Sequence, residues 1–464
     1  MNAKPETLTA RVVGDIRKRI DRCQLPPGAR LPSIRGLAES LGVSKSTVVE
    51  AYDRLAAEGA ILARPGSGFY VPQRKAVLSL APGNPRADRD VDPLWVAHQS
   101  LSGQEGLLKP SCGWLPSDWM PQESIRRALR ASAKLDDAEL ADYATPLGHP
   151  GLRQLLARRL ADRAVEADAD QILLVESGTH AVDLACRFLL EPGDTVLVDD
   201  PCYFNFHALL RAHRATVVGV PYTPNGPDVD AFEGAVLRHK PRLYLTNSAL
   251  HNPTGATLSP ATAHRVLKAA EQHGVTIIED DIFAEFQSVP SARLAAFDGL
   301  QHVIQVGSFS KTLSASVRCG YIAARADWID ALTDLKIATA FGSGRLASEL
   351  VYSMLRDGGY RRHVETLRQR LARAMPNVRR KLESVGITPW AEPGEGMYLW
   401  SRLPDGASAV KVARVALKHG VVLAPGSTFS LSEAGDAFFR FNVAQCSDRR
   451  VYEVLRRSLQ ESVA

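Results

Sequence analysis

Long apolar runs are missing from this chain. Nowhere in its 464 residues does such a run approach the ~20 residues that a membrane-spanning helix needs, which excludes that class of anchor. The opening residues, MNAKPETLTA, carry no apolar secretory core, so a cytoplasmic protein is expected. Cysteine is scarce and scattered: Cys23, Cys112, Cys186, Cys202, Cys319 and Cys446 include no CxxC pair. That spacing argues against a disulfide or zinc framework, no metal is expected, and the thiols read as small core hydrophobes. What remains is an ordinary globular composition, 45% hydrophobic and 23% charged, in a chain long enough for two or three domains.

Net charge is also missing from most of the chain. Residues 1–75 hold 13 Lys+Arg against 7 Asp+Glu, and the remainder is balanced to within one charge. A small basic piece joined to a large neutral one suggests a polyanion for the first and a small molecule for the second. In the basic piece, Leu8, Val12, Val13, Ile16 and Ile20 recur at helical spacing over residues 6–22. After PPGARLP, Ser33 caps a short helix through Leu41, Gly42 ends it, and Ser44 caps another through Glu58. Two helices across so tight a turn make a helix-turn-helix, whose second helix enters the major groove and presents Ser44, Lys45, Ser46 and Thr47. AILARPGSGFYV then alternates around a PGSG turn as a two-strand wing, with Arg64 and the glycine tip placed for phosphates or the minor groove.

The stretch PGARLPSIRGLAESLGVSKSTVVEAYDRLAAEGAILARPGSGFYV resembles the winged helix-turn-helix of the GntR family of bacterial regulators. The resemblance implies a double-stranded DNA operator as partner, with Arg35, Lys45 and Thr47 as main contacts and Arg64, Ser67 and Gly68 in the wing. Lys45 stands where that family usually has arginine. A lysine neutralises a phosphate but lacks the guanidinium fork that reads guanine. The winged domain is expected over residues 1–72 and a linker over 73–107, mixed in charge and broken by Pro and Gly, with one short helix near Leu94–Leu101 and no chemistry.

Residues 108–464 alternate helical patterns with short apolar runs (DTVLVDD, RLYLTNSA, VTIIEDD, HVIQV), the signature of a mostly parallel sheet with helices on both faces. Chemistry-bearing residues fall at the strand ends. Lys311 follows HVIQV, where open α/β sheets place ligands, and a lysine there forms an imine with an aldehyde. Ser308, Ser310 and Arg318 around it suit a phosphate, so the local chemistry fits pyridoxal 5'-phosphate. SGTHAVDLA opens a helix whose first N–H groups, at Gly178, Thr179 and His180, can hold a phosphate. HNPTG supplies Asn252 in a proline-fixed turn, and EDD makes Asp280 or Asp281 a candidate partner for a protonated ring nitrogen.

Across residues 140–445 the domain resembles the fold-type I aminotransferases that use pyridoxal phosphate, and behind a GntR reader the whole is similar to a MocR-type transcriptional regulator. The resemblance implies an α/β fold with a smaller C-terminal α+β part, Lys311 forming the internal aldimine, Asp280 on the pyridinium nitrogen and Asn252 on the ring oxygen. It further implies Tyr203 stacked on the ring, Gly178, Thr179, His180, Ser308, Ser310 and Arg318 around the phosphate, and Arg440 of FFRFNVA on an effector's carboxylate. Tyr143 would reach the cofactor of a second subunit, since the family is dimeric. Two residues after Asp280, where the family usually has a hydroxyl-bearing tyrosine, this chain has Ile282, then Phe283. That departure weakens transamination more than binding. The expected function is therefore a homodimeric, DNA-binding regulator sensing an amino compound or B6 vitamer; the alternatives are an active aminotransferase with an accessory reader and a DNA-binding dimer with an inert scaffold.

Overall fold

The computed structural model describes residues 7–21, 24–26, 28–64, 67–72, 93–101, 106–392 and 394–463. The chain divides into two compact units, Met1–Ala87 and Asp88–Ala464. Among the described residues no helix is long and apolar enough to cross a membrane.

The first unit packs α1 (Leu8–Asp21), α2 (Ile34–Leu41) and α3 (Lys45–Ala57) against an antiparallel hairpin of β1 (Leu62–Arg64) and β2 (Gly68–Tyr70). The apolar stripe read from the sequence becomes its core: Val12, Val13 and Ile16 bury against Leu37, Val48, Tyr52, Leu55 and Ile61. Both caps are made as side-chain chemistry requires. Ser33 Oγ accepts from the Gly36 N–H, Ser44 Oγ accepts from the Thr47 N–H, and Gly42 ends α2 at φ 64°, a conformation that costs glycine nothing. Pro65 and Gly66 at the wing's tip lie outside the described residues.

The second unit is built on eight strands: β3 (Ile172–Val175), β4 (Thr195–Asp200), β5 (Thr216–Thr223), β6 (Gly226–Pro227), β7 (Leu243–Thr246), β8 (Thr276–Asp280), β9 (Val303–Ser308) and β10 (Gly320–Ala323). Their order is β3-β10-β9-β8-β7-β4-β5-β6. The central five, β9 through β5, are parallel; β10 runs antiparallel to both neighbours, and β6 folds back on β5. Period-two alternation explains why these runs read as continuously apolar. Leu197, Tyr244, Ile277 and Val303 enter one core, whereas Val196, Val198, Leu243, Leu245, Ile278 and Ile304 enter the other, so both faces are covered.

A smaller antiparallel sheet of β11 (Thr388–Pro389), β12 (Tyr398–Arg402) and β13 (Phe438–Asn442) packs with helices Gly359–Glu383, Ala409–Lys418 and Arg449–Val463. Alternation again sorts the residues. Leu399, Phe439 and Phe441 fill the core, while Tyr398 and Trp400 stand opposite Asn442 and Arg440 on the other face. Of the expected linker, residues 73–92 and 102–105 lie outside the described residues. The part described, Pro93–Leu101, is a helix whose Trp95 and Val96 bury against Phe204, Trp400 and Phe429 of the second unit.

Candidate functional site

The carboxyl ends of β4, β7, β8 and β9 surround a cavity of about 320 Å³, within the size range of small-molecule sites. It collects residues that stand far apart in the chain. Gly178, Thr179, Tyr203, Asn252, Asp280, Ser308, Ser310, Lys311, Arg318 and Arg440 all line it. Strand polarity is the cause: parallel strands deliver their loops to one edge, so short chemical motifs after each strand converge.

Lys311 Nζ donates to the carbonyl of Gly113 at 2.6 Å and lies 5.9 Å from the Phe283 ring centre. Burial, reinforced by the nearby Arg440 guanidinium, lowers its pKa to about 8. Asp280 is buried, and desolvation raises its pKa to about 7; Oδ1 accepts from the Ile282 N–H at 3.2 Å. Among the described residues no cation forms an ion pair with it, although the Lys311 charge acts on it through space. The adjacent Asp281 faces away from the cavity into a buried ion pair with Arg293 at 2.9 Å, so of the two aspartates named from the sequence Asp280 is the one in the cavity. Pleating of the strand end separates them.

Asn252 is held at two atoms, and its partner Asn247 is anchored in turn. Its backbone N–H donates to Asn247 Oδ1 at 2.8 Å, Asn247 in turn donates to the Asp280 carbonyl, and Arg440 Nη1 donates to Asn252 Oδ1 at 2.7 Å. With its oxygen taken, the amide has its NH2 group left for the cavity. Arg440 itself is buried beneath aromatic rings, with its guanidinium 4.5 Å from the Tyr398 centroid and 4.7 Å from that of Phe429. Its Nη2 donates to the Ser111 carbonyl at 2.6 Å. Asn442 reaches the carbonyls of Cys112 and Trp114, and the segment around Gly113 is thereby fixed as a wall.

On the opposite side, helix Gly178–Leu189 points its N-terminus at the strand end bearing Ser308. Gly320 on β10 permits this approach: a Cβ there would stand 2.7 Å from the Ser177 carbonyl carbon and 3.0 Å from the Gly178 nitrogen. Ser308 Oγ and Ser310 Oγ are 3.0 Å apart, and Arg318 sits in the left-handed region at φ 51°. His180 departs from the expected set. Its N–H is taken by the Ser177 cap, its ring Nδ1 accepts from the Glu176 N–H, and it does not line the cavity. Tyr143 does not line it either; 79% exposed, it packs at a tilt against Phe341 with ring centres 4.9 Å apart.

Several cavity residues carried no signal in the sequence. Gly113, Trp114 and Tyr398 have no motif around them, and Ala97, Ser100 and Leu101 come from a stretch where no chemistry was expected. Ile282 lines the wall where a phenol would otherwise stand, its Cγ2 3.2 Å from the position a Cβ on Gly178 would take.

On the first unit, Ser44, Lys45 and Ser46 are exposed at the start of α3, with Ser44 Oγ 2.7 Å from Ser46 Oγ and 2.8 Å from Thr47 Oγ1. Arg35 is exposed and pairs with Glu39 at 3.2 Å. In the wing, Arg64 lies over the Tyr70 ring at 4.6 Å and Ser67 Oγ is 2.7 Å from Tyr70 Oη.

Comparison with known proteins agrees with both halves. Residues 8–71 match the family model for bacterial regulatory proteins of the gntR family, and residues 115–457 that for aminotransferase class I and II. The chain is 30% identical to the HTH-type transcriptional regulator YdcR of Escherichia coli over 92% of its own length and 93% of that protein's. It is 25% identical to the HTH-type regulator NorG of Staphylococcus aureus, over 80% and 86%. Among solved structures, the α-aminoadipate aminotransferase LysN of Thermus thermophilus, complexed with N-(5'-phosphopyridoxyl)-L-leucine, is similar at TM-score 0.72 and 25% identity, covering 79% of this chain and 95% of that one. The kynurenine aminotransferase of Pyrococcus horikoshii shares the fold at TM-score 0.73 and 22% identity, over 82% and 97%. A gntR-family reader, a class I and II aminotransferase domain and relatives matched along nearly their whole length show that the chain belongs to the HTH-type transcriptional regulators of the MocR type.

Proposed function

We propose that the second unit binds pyridoxal 5'-phosphate covalently through Lys311, and that an amino compound entering the same cavity changes the operator affinity of a cytoplasmic homodimer. The observation that carries this reading is the convergence of Lys311, Asp280, Asn252 and Arg440 from separate chain segments on one cavity. The residues fit the group: Asp280 is a buried carboxylate with no ion pair among the described residues, Asn252 lines the cavity with its oxygen already accepting from Arg440, and the Gly178 end of a helix with Ser308, Ser310 and Arg318 suits a phosphate. When bound, the cofactor supplies an electrophilic carbonyl and an electron sink. Tyr203 is expected against the ring, and Tyr143 across a dimer contact. Ile282, without a hydroxyl, favours recognition over turnover.

An electrophoretic shift assay with and without cofactor and candidate amines tests the coupling, since an effector shifts operator binding only through differential affinity for two states. Identical operator affinity in all conditions would remove it. Two further results are expected. Lys45→Ala should weaken binding to all sequences and lower the slope of log affinity against log salt by about 1, one phosphate contact's worth. Covalent cofactor uptake should also depend on pH in a defined direction. The neutral amine is the reactive form, and with a pKa of about 8 at Lys311 the uptake rate should rise about tenfold from pH 7 to pH 9 and then level off, whereas an ordinary lysine would keep climbing beyond pH 10. Stopped-flow absorbance reads this directly.

A further inference from the structure

The Tyr398 ring packs under the Arg440 guanidinium, but its hydroxyl takes part in none of the contacts assigned so far. The residue is 3% exposed, lines the wall, and among the described residues its buried hydroxyl has no hydrogen-bond partner. Such a group normally costs free energy, so a ligand that satisfies it gains by doing so. The ring cannot swing aside. Phe283 abuts it edge-on at 5.4 Å, the Arg440 guanidinium covers its face at 4.5 Å, and its backbone is paired with Asn442 in the small sheet.

The direction of the hydroxyl is given by Gly113. A Cβ on that residue would lie 3.5 Å from Tyr398 Oη, 3.7 Å from Lys311 Nζ and 3.9 Å from Arg440 Nη2. The Tyr398 hydroxyl, the Arg440 guanidinium and the Lys311 amine that the cofactor would take thus converge on a space that is open because residue 113 has no side chain. The Gly113 carbonyl accepts from Lys311, and the Asn252 and Ser111 oxygens accept from Arg440. Burial pushes the Tyr398 pKa upward, so the phenol keeps its proton and donates. An oxygen carrying negative charge is what this space fits.

We propose that Tyr398 sets the cavity's specificity for amines that also carry a carboxylate, by donating its phenolic hydrogen to a carboxylate oxygen in the space over Gly113, beside Arg440. The inference rests on the reading that this cavity takes the cofactor and an amino compound. Arg440 supplies charge, but two of its donors are committed to Asn252 and Ser111; Tyr398 adds a donor whose position is set by packing.

The test titrates the full-length, cofactor-loaded protein with α-amino acids and with the amine each becomes on losing its carboxylate: L-alanine against ethylamine, L-leucine against 3-methylbutylamine, L-phenylalanine against phenethylamine. Cofactor absorbance gives each dissociation constant. In the wild type at least one acid should bind better than its amine. Tyr398→Phe keeps the ring contacts and should lose about tenfold in affinity for that acid, with its amine changed less than twofold. Gly113→Ala places a methyl at ordinary contact distance from all three donors and should lose the same preference. Equal acid-to-amine ratios in wild type and Y398F, or no preference in the wild type, would overturn the assignment. Failure of the wild type to take up pyridoxal 5'-phosphate at all would overturn the underlying reading instead.

Discussion

Lys311→Ala protein, purified in the presence of pyridoxal 5'-phosphate and treated with borohydride, is expected to be colourless and to carry no reduced label, where the wild type carries it on the peptide containing residue 311. The argument is one of access as well as acidity. Among the described residues two lysines, the half-buried Lys311 and the buried Lys336, have pKa values lowered to about 8. Lys336 donates to the carbonyls of Pro146 and Leu174, at 2.6 and 2.8 Å, and lies outside the cavity; its amine is spent on the backbone. Lys311 has one carbonyl partner and a cavity in front of it. Label on Lys336, or on any surface lysine at comparable yield, would show that lowered basicity alone governs the reaction and would remove the proposed site. Because removing Lys311 also deletes the contact with Gly113, melting temperature should be compared alongside, and it is expected to change little for a half-buried side chain lost from a cavity.

The second large effect concerns the reader alone. Leu55→Ala should cost about 2–5 kcal/mol, the range for deleting a fully buried leucine side chain. Leu55 is 0% exposed, at the centre of the cluster formed by Val12, Ile16, Val48 and Ile61. Small units sit near the low end of the ~5–15 kcal/mol that folded domains possess, so this loss consumes much of what holds the helices in place. Operator binding should collapse while cofactor absorbance persists. Differential scanning calorimetry would show one transition moved down sharply and the other in place; a joint shift of both would mean the two units unfold as one.

Much of this arrangement was readable from residue order, and the reasons are physical. Caps announce themselves, which is why Ser33, Ser44 and Gly42 are legible from residue type and spacing. Doubly covered strands must be apolar throughout, and motifs after parallel strands must meet at one edge, so Lys311, Asp280 and Asn252 could be grouped across some sixty residues of chain. Choosing between Asp280 and Asp281 needed the pleat, because adjacent carboxylates differ only in which face they take. Contributions from antiparallel or irregular segments were silent. Tyr398 sits in a strand whose pattern also suits plain core, and Gly113 matters through the side chain it lacks. His180 stands apart for a local reason: at the third helical position its N–H donates to the capping serine.

The helix Pro93–Leu101 has one more implication. Expected as a short helix within a linker, it plugs the aromatic pocket of Phe204, Trp400 and Phe429 with Trp95, and two of those rings, Phe204 and Phe429, also lie against Arg440. A fragment begun at residue 108 to isolate the large domain would leave that pocket uncapped and greasy, with the arginine beneath it suddenly wet. Any dissection of this protein into separately folding pieces must therefore cut ahead of Pro93.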